Sequence, residues 1–302
     1  MVDYMAVTYE PIICKTLLHR INVRFLPFRW TINPYRGCEH SCVYCYGRYT
    51  HEYLGLNAAK DFEQIIKVKT NAGNILDAEF SKTWWRKSLV YVGSVTDPYQ
   101  PAENTYKITR NILEIFLKHE NPLIIGTKSN LILHDIDILE KIARQTFLNV
   151  IITVTTTDED LKRKIEPNSP STKERLDTIS KLSTAKVPVG ALFVPILPYL
   201  TDDEQTINDV MEAIADAGAN FVISSVLNLK KSCKERFFSF LKNEFPHLIE
   251  KYQELFSEAY APKSYTNKIY KLTSHAQKLY RLGDFKTHSV NKSYQTKLSV
   301  RG

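Results

Sequence analysis

Three of the five cysteines of this 302-residue chain fall within eight residues, at positions 38, 42 and 45 of the stretch Gly37-Cys-Glu-His-Ser-Cys-Val-Tyr-Cys-Tyr46. Thiolates are soft ligands that suit zinc, copper(I) and iron–sulfur clusters. A structural zinc site takes four ligands, usually in two short-spaced pairs. Here the spacing is C-x3-C-x2-C in one loop, no second CxxC follows, and Cys14 and Cys233 stand alone. His40 and His51 are near enough in sequence to complete a Cys3His zinc site, and three buried, unligated thiols are a further reading. Three thiolates also suit a [4Fe–4S] cluster with one iron left open, since the usual complement is four cysteines. Tyr44, next to the last cysteine, would then shield the cluster from water and influence its potential.

The elements that must position this loop are legible as alternation. Six short apolar runs, rich in β-branched residues, read as strands: Trp30–Asn33, Leu89–Gly93, Leu123–Thr127, Val150–Val154, Val187–Val194 and Phe221–Val226. Helix-period stretches lie between most of them, at Glu103–His119, Ile136–Gln145, Ser171–Thr184 and Asp203–Ala217. Asp202 or Thr201 is a candidate cap for the last, with Gly218 just past its end. Repeated strand–helix–strand units imply parallel strands with right-handed crossovers. Six such units predict an α/β fold, an open or partial (β/α)6 barrel, with a doubly wound sheet as the alternative. Chemistry in either gathers at the carboxyl ends of the strands. The cysteines follow strand one, Ser94 to Gln100 follow strand two, and Thr127-Lys-Ser129 ends strand three.

Within residues 55–88, KVKTNAGNIL reads as a strand and turn and DAEFSKTWWRKS as a helix. After Asn228 the alternation stops. Glu235–Phe256 reads as two helices broken near Phe245, before Pro246, and Ile269–Leu282 as a helix with a basic face. The expected organisation is an N-terminal extension (1–29), a barrel core (30–230) and a helical, basic C-terminal extension (231–302). The formal net charge of +7 is concentrated there: residues 257–302 carry seven lysines and two arginines against Glu258 and Asp284. Tyr260, Tyr265, Tyr270, Tyr280 and Tyr294 are interleaved with them. Such a segment grips phosphates and stacks on bases, or is a solvated helix with a frayed end. No apolar run reaches the roughly 18–20 residues of a membrane span. No signal peptide is expected, and the expected location is the cytoplasm.

The C-x3-C-x-aromatic-C pattern resembles the signature of the radical S-adenosylmethionine (SAM) enzymes. The resemblance implies Cys38, Cys42 and Cys45 as ligands of a [4Fe–4S] cluster whose open iron is chelated by SAM. One electron then cleaves SAM to methionine and a 5′-deoxyadenosyl radical, which abstracts a substrate hydrogen atom. Asn33-Pro-Tyr-Arg-Gly-Cys38, Thr50-His-Glu-Tyr-Leu54 and Val95-Thr-Asp-Pro-Tyr-Gln-Pro-Ala-Glu103 are similar to the "DNA repair photolyase" branch related to spore photoproduct lyase. So are Thr127-Lys-Ser129, Thr155-Thr-Thr-Asp158, Glu166-Pro167 with Arg175-Leu176, and Pro195-Ile-Leu-Pro198. The likeness runs from about residue 30 to 230 and omits the basic tail. It implies a partial barrel of the radical SAM type and a SAM site. Ser94, Thr96 and Asp97 stand where many members receive the SAM amino group, and their oxygens suit an ammonium. Lys128 and Ser129 suit the carboxylate. Thr153, Thr155 and Thr156 would face ribose or substrate, or simply form strand. Glu166 and Arg175 would pair with SAM or with each other, and Pro195–Pro198 would lie beside the adenine. Tyr35, Arg36, Tyr46, Tyr49, His51 and Tyr99 are expected around the cluster, as a cleft for a flat substrate or as supporting residues.

One departure matters. The lyase branch uses a cysteine hydrogen donor after strand two, and the matching position here is Ser94, whose O–H bond is too strong for that role. Spore-lyase activity is weakened as an expectation, while radical SAM chemistry is not. The leading expectation is a radical SAM enzyme acting on a nucleic acid through residues 257–302. The alternatives are modification of a peptide or small metabolite, and a non-enzymatic metal or nucleic-acid binding protein. The enzyme readings require a one-electron reductant of the flavodoxin or ferredoxin type. Too few cysteines remain for an auxiliary cluster.

Overall fold

The computed structural model describes residues 6–23 and 26–285. Ten strands are assigned: β1 (Thr8–Ile12), β2 (His19–Arg20), β3 (Trp30–Ile32), β4 (Tyr35–Arg36), β5 (Ile65–Lys69), β6 (Val90–Val92), β7 (Leu123–Thr127), β8 (Leu148–Thr153), β9 (Val189–Ile196) and β10 (Val222–Val226). Seven form one sheet in the order β10-β9-β8-β7-β6-β3-β2. From β3 to β10 every pair is parallel, and only the short β2 runs antiparallel at the edge. The six predicted strands therefore lie side by side in chain order. A doubly wound sheet reverses direction at a switch point. This one does not, and it is the partial barrel. β7 and β8 are buried along their whole length, because helices cover one face and the barrel interior the other, which is why they read as unbroken apolar runs. The remaining strands form a small sheet, β1-β5-β4.

Eleven α-helices are assigned among the described residues: α1 (Tyr49–Glu52), α2 (Ala72–Phe80), α3 (Glu103–Tyr106), α4 (Ile108–His119), α5 (Ile136–Gln145), α6 (Glu159–Ile165), α7 (Thr172–Thr184), α8 (Glu204–Asp216), α9 (Lys231–Glu244), α10 (Ile249–Leu255) and α11 (Lys263–Leu279). The apolar stripes of α4, α5 and α8, with Ile112, Phe116, Leu139, Ile142, Val210 and Ile214, pack on the outer face of the sheet. A second cluster joins Cys42, Val43 and Tyr44 to Phe237, Leu241, Tyr252 and Phe256, so α9 and α10 buttress the cysteine loop. Ile269, Ala276 and Leu282 of the α11 region belong to the main core.

Several expectations are corrected in detail. Residues 103–119 are two helices, not one. Lys107 adopts φ 50° between them, and the Glu103 carboxylate accepts hydrogen bonds from the backbone N–H of Thr109 and Arg110 at 2.8 and 3.1 Å. It thus supplies the cap that the second helix lacks. The predicted helix over DAEFSKTWWRKS starts five residues earlier, at Ala72, and ends at Phe80. A side chain on Gly73 would meet Asn111 Oδ1 at 1.5 Å, so the glycine lets α2 close on α4. Trp84 and Trp85 leave the helix to pack against Trp30. Asp203, not Asp202 or Thr201, caps α8, accepting from Thr206 N at 2.9 Å. Asp202 instead accepts from Tyr199 N at 2.7 Å and from the Tyr265 hydroxyl. The break near Phe245 is present as a 3-10 turn at Pro246–Leu248. Tyr294, Lys286, Lys292, Lys297 and Arg301 of the basic segment lie outside the described residues.

Candidate active site at the mouth of the barrel

The cysteine loop is held from every side by backbone hydrogen bonds. Gly37 opens it at φ +86°, and a side chain there would come within 2.8 Å of Phe62 O. Cys38 N donates to Phe62 O at 3.0 Å and Val43 N to Ile165 O at 3.0 Å. Glu39 N donates to the Gln100 side chain at 3.0 Å. The buried Arg48 guanidinium donates to Cys42 O at 3.2 Å and pairs with Glu63 at 2.6 Å. These contacts present Cys38, Cys42 and Cys45 to a cavity of about 650 Å³ at the carboxyl ends of the barrel strands, a size that suits a cofactor with part of a substrate.

Burial pushes all three thiols up. For Cys38 the Asp97 carboxylate and the two neighbouring thiols add to it. Cys42 is pushed up to about 12 against the opposing charge of Lys128, and Cys45 is raised against Arg48. Such thiols ionise when a cationic centre is supplied, as iron supplies it. The three thiols line one cavity from one loop. Three soft thiolates bind three irons of a four-iron cluster and leave the fourth open, so the donor set fits the cluster.

Four of the predicted SAM-site residues after β6 and β7 line this cavity: Ser94, Thr96, Asp97 and Lys128. Asp97 accepts from Thr127 Oγ1 at 2.6 Å, Lys128 N at 2.8 Å and Tyr99 N at 2.9 Å, with His40 Nδ1 3.3 Å away. Burial alone would raise this carboxyl; His40 and the hydrogen bonds outweigh it and hold it at about 2. A depressed folded value stabilises the fold above the unfolded value of about 3.8, and the contribution is lost as pH falls toward 2. Its size is about 2 kcal/mol at pH 7. Asp97→Asn is expected to lose that increment at pH 7 but little near pH 2, as urea denaturation at the two pH values would measure. Thr96 Oγ1 donates to Gly37 O at 2.5 Å, tying the second strand's loop to the first.

Glu166, Arg175 and Ser129 lie outside the cavity lining. Ser129 caps a 3-10 turn, accepting from Leu131 N at 3.2 Å. Glu166 and Arg175 are fully buried and pair with each other. Glu166 also accepts from the Tyr44 hydroxyl and from Thr155 Oγ1 at 2.9 Å, and Arg175 donates to Thr153 O at 3.1 Å. Lys128 Nζ stands 3.9 Å from Glu166 and 5.7 Å from the centre of the Tyr44 ring. The pair thus fixes Tyr44 and Lys128, which do face the cavity. Of the three threonines only Thr153 lines it, and of Pro195 and Pro198 only Pro195.

Tyr46 and Tyr49 line the cavity as expected, whereas Tyr35, Arg36, His51 and Tyr99 do not. Tyr35 bonds Glu103, Tyr99 donates to Asp135 at 2.9 Å, and His51 Nε2 contacts Ile65 O at 3.0 Å while packing on Phe62. The sequence reading missed the pairing of His40 with Asp97. It also missed Asn33, which bonds Ser94 Oγ and Val95 N at 3.0 and 2.9 Å, although both residues stand in the quoted motifs. Phe28 and Phe285, from the two ends of the chain, also line the cavity, and nothing local in the sequence marks them. Phe28 stacks on Tyr91 at 4.9 Å.

The cavity has two unlike sides. Among the described lining residues only His40, Asp97 and Lys128 carry or can carry an acid–base charge apart from the thiols and phenols, and all three belong to the loops that hold the cysteines or follow β6 and β7. The other side is Ile124, Ile151, Leu192, Ile223, Phe28 and Phe285, with the Tyr91 ring, which pack together as one apolar cluster.

The family model of the radical SAM superfamily matches residues 32–214. An uncharacterized protein of Mycobacterium tuberculosis is 35% identical over 265 residues, covering 87% of this chain and 78% of that protein. A radical SAM Nalpha-GlyT isomerase of Pseudomonas phage M6 is 25% identical over 228 residues, covering 74% of this chain and 45% of the phage protein. Spore photoproduct lyase complexed with dinucleoside spore photoproduct superposes with a TM-score of 0.69 at 14% identity, over 90% of this chain and 79% of the lyase, so the two share a fold. With the family match covering more than half of the sequence and the cysteine loop seated at the mouth of the partial barrel, the chain belongs to the radical SAM superfamily, enzymes that use a [4Fe–4S] cluster and SAM.

Proposed function

We propose that this enzyme abstracts a hydrogen atom from a nucleotide unit of a nucleic acid. Cys38, Cys42 and Cys45 hold the cluster, and the polar side of the cavity holds SAM. There Lys128 meets the carboxylate, and Ser94, Thr96 and Asp97 offer oxygens to the ammonium. When bound and reduced, the two cofactors supply the 5′-deoxyadenosyl radical. The observation that carries the substrate reading is the division of the cavity. Its uncharged side takes a flat, neutral group and offers no cation for a phosphate among the described residues. A free phosphorylated metabolite would bury its charge unpaired there, at a cost of several kcal/mol. An extruded base leaves its phosphates outside. The dinucleoside ligand of the lyase with the same fold supports this reading.

The tail supports it too. Phe285 lines the cavity, and the residues that follow it carry Lys286, Lys292, Lys297 and Arg301 and no acid. Deleting residues 286–302 spares α11 and its core contacts. It is expected to weaken binding of an oligothymidylate and to flatten the salt dependence by a slope of about 3, as four lost phosphate contacts would. An unchanged slope would remove the tail from the interface.

The lyase's reaction is not carried over. The cavity lining contains no thiol outside the cysteine loop among the described residues, since Cys14 and Cys233 do not line it. The reaction itself is tested by anaerobic reconstitution, reduction by dithionite or a flavodoxin- or ferredoxin-type donor, and chromatography for 5′-deoxyadenosine with and without oligothymidylate. Stimulation by the oligonucleotide is expected. Stimulation by peptides or small metabolites in its place would overturn the substrate reading.

A further inference from the structure

A row of tyrosines leaves the cavity and continues over the surface. Tyr46, Tyr49 and Tyr53 are spaced three and four apart across a 3-10 turn and α1, which puts them on one face. Tyr46 and Tyr49 line the cavity, and Tyr53 lies beyond it. Tyr46 is 47% exposed and Tyr53 77%. Tyr49 and Tyr53 meet edge to face, with ring centres 5.9 Å apart at 88°; the edge of one ring covers one face of the other, and the pair leaves the opposite face uncovered. The opposite face of the segment is anchored: Thr50 Oγ1 donates to Gly47 O at 2.8 Å, and His51 is buried between Ile65 O and Phe62. The Tyr46 hydroxyl donates to Ser94 O at the cavity mouth, so the row starts on the cavity wall and Tyr53 is the ring held outward by a fixed element.

We infer that this row is a stacking track for the unpaired bases flanking the reacting nucleotide, an inference that rests on the nucleic-acid reading of the cavity. Continuity with the cavity mouth selects the occupant, because whatever enters the cavity as one unit of a chain must lay its neighbours along the rim. The chemistry agrees. Bases stack on aromatic faces without regard to sequence. Stacking on the rings themselves requires no charge and leaves the phosphates to cations elsewhere.

The test uses the reconstituted holoenzyme, an oligothymidylate of about ten nucleotides and a thymidine dinucleotide. Tyr53→Ala is expected to weaken the longer ligand about fivefold or more, the loss of one stacked base. The loss should be equal at low and high salt, unlike that caused by removing the tail. Tyr53→Phe, which keeps the ring, should bind as the parent does. Dinucleotide binding and unstimulated 5′-deoxyadenosine formation should not change in either variant. Parent-like oligonucleotide affinity in Tyr53→Ala overturns the track and leaves the substrate reading standing, as does a loss shared by the dinucleotide. Slower turnover with a flavodoxin-type donor at unchanged oligonucleotide affinity reassigns the row to the reductant. Failure of the parent enzyme to bind any oligonucleotide overturns both readings.

Discussion

Cys38→Ala, Cys42→Ala and Cys45→Ala are each expected to abolish cluster binding and to reduce 5′-deoxyadenosine formation to background. The three thiols face one cavity from one loop. With one removed, no other thiol among the described residues reaches it, because Cys233 bonds to Lys230 O and Cys14 to Asn71. Cys14→Ala and Cys233→Ala are expected to keep full iron content. Cys233→Ala costs about 1–2 kcal/mol of stability, since the thiol, on α9, is buried in the second core cluster. Iron analysis and the absorption of the reconstituted cluster separate the two groups. Normal iron in any of the first three variants would sink the ligand assignment.

Breaking the Glu166–Arg175 pair is expected to be the most destabilising single change in the barrel. Both groups are almost inaccessible to solvent. Burial alone would raise the Glu166 carboxyl; Arg175 and Lys128 reverse the effect and hold it well below the usual carboxylate range. Glu166→Ala leaves the guanidinium buried without its partner, which costs about 3–5 kcal/mol against a typical total stability of about 5–15 kcal/mol. Glu166→Gln keeps the shape and part of the hydrogen bonding and loses less. Replacing both residues by apolar ones should cost less than the sum of the single changes, because no charge remains unpaired. The pair stabilises the fold above the unfolded carboxyl value, and the contribution is lost as pH falls through the folded one. Urea denaturation of the cluster-free protein is the measurement, and a cost for Glu166→Ala below about 1 kcal/mol would contradict it.

The sequence by itself carried the cysteine loop, the six strands and their parallel winding. These are local signals: ligand spacing, β-branched runs and helix period are all properties of short windows. Lys128, Asp97 and Tyr44 were legible for the same reason, because each stands at a strand end or in the cysteine motif. Helix boundaries were less so. The break at Lys107 depends on a carboxylate reaching the next helix's N–H groups, and the early start of α2 depends on a glycine closing on Asn111.

The tertiary structure alone decided which of the motif residues meet the cavity. Ser129 shares a motif with Lys128, and Glu166 and Arg175 stand in another of the quoted motifs, yet all three lie outside the lining. A buried ion pair is satisfied only where its partners converge, and that convergence is set by packing of α7 against β8, where Arg175 also donates to Thr153 O. The uncharged side of the cavity was equally hidden. Phe28 and Phe285 come from segments far apart in sequence, pack on Tyr91 and Phe221 respectively, and line one cavity. No periodicity within either segment records the other.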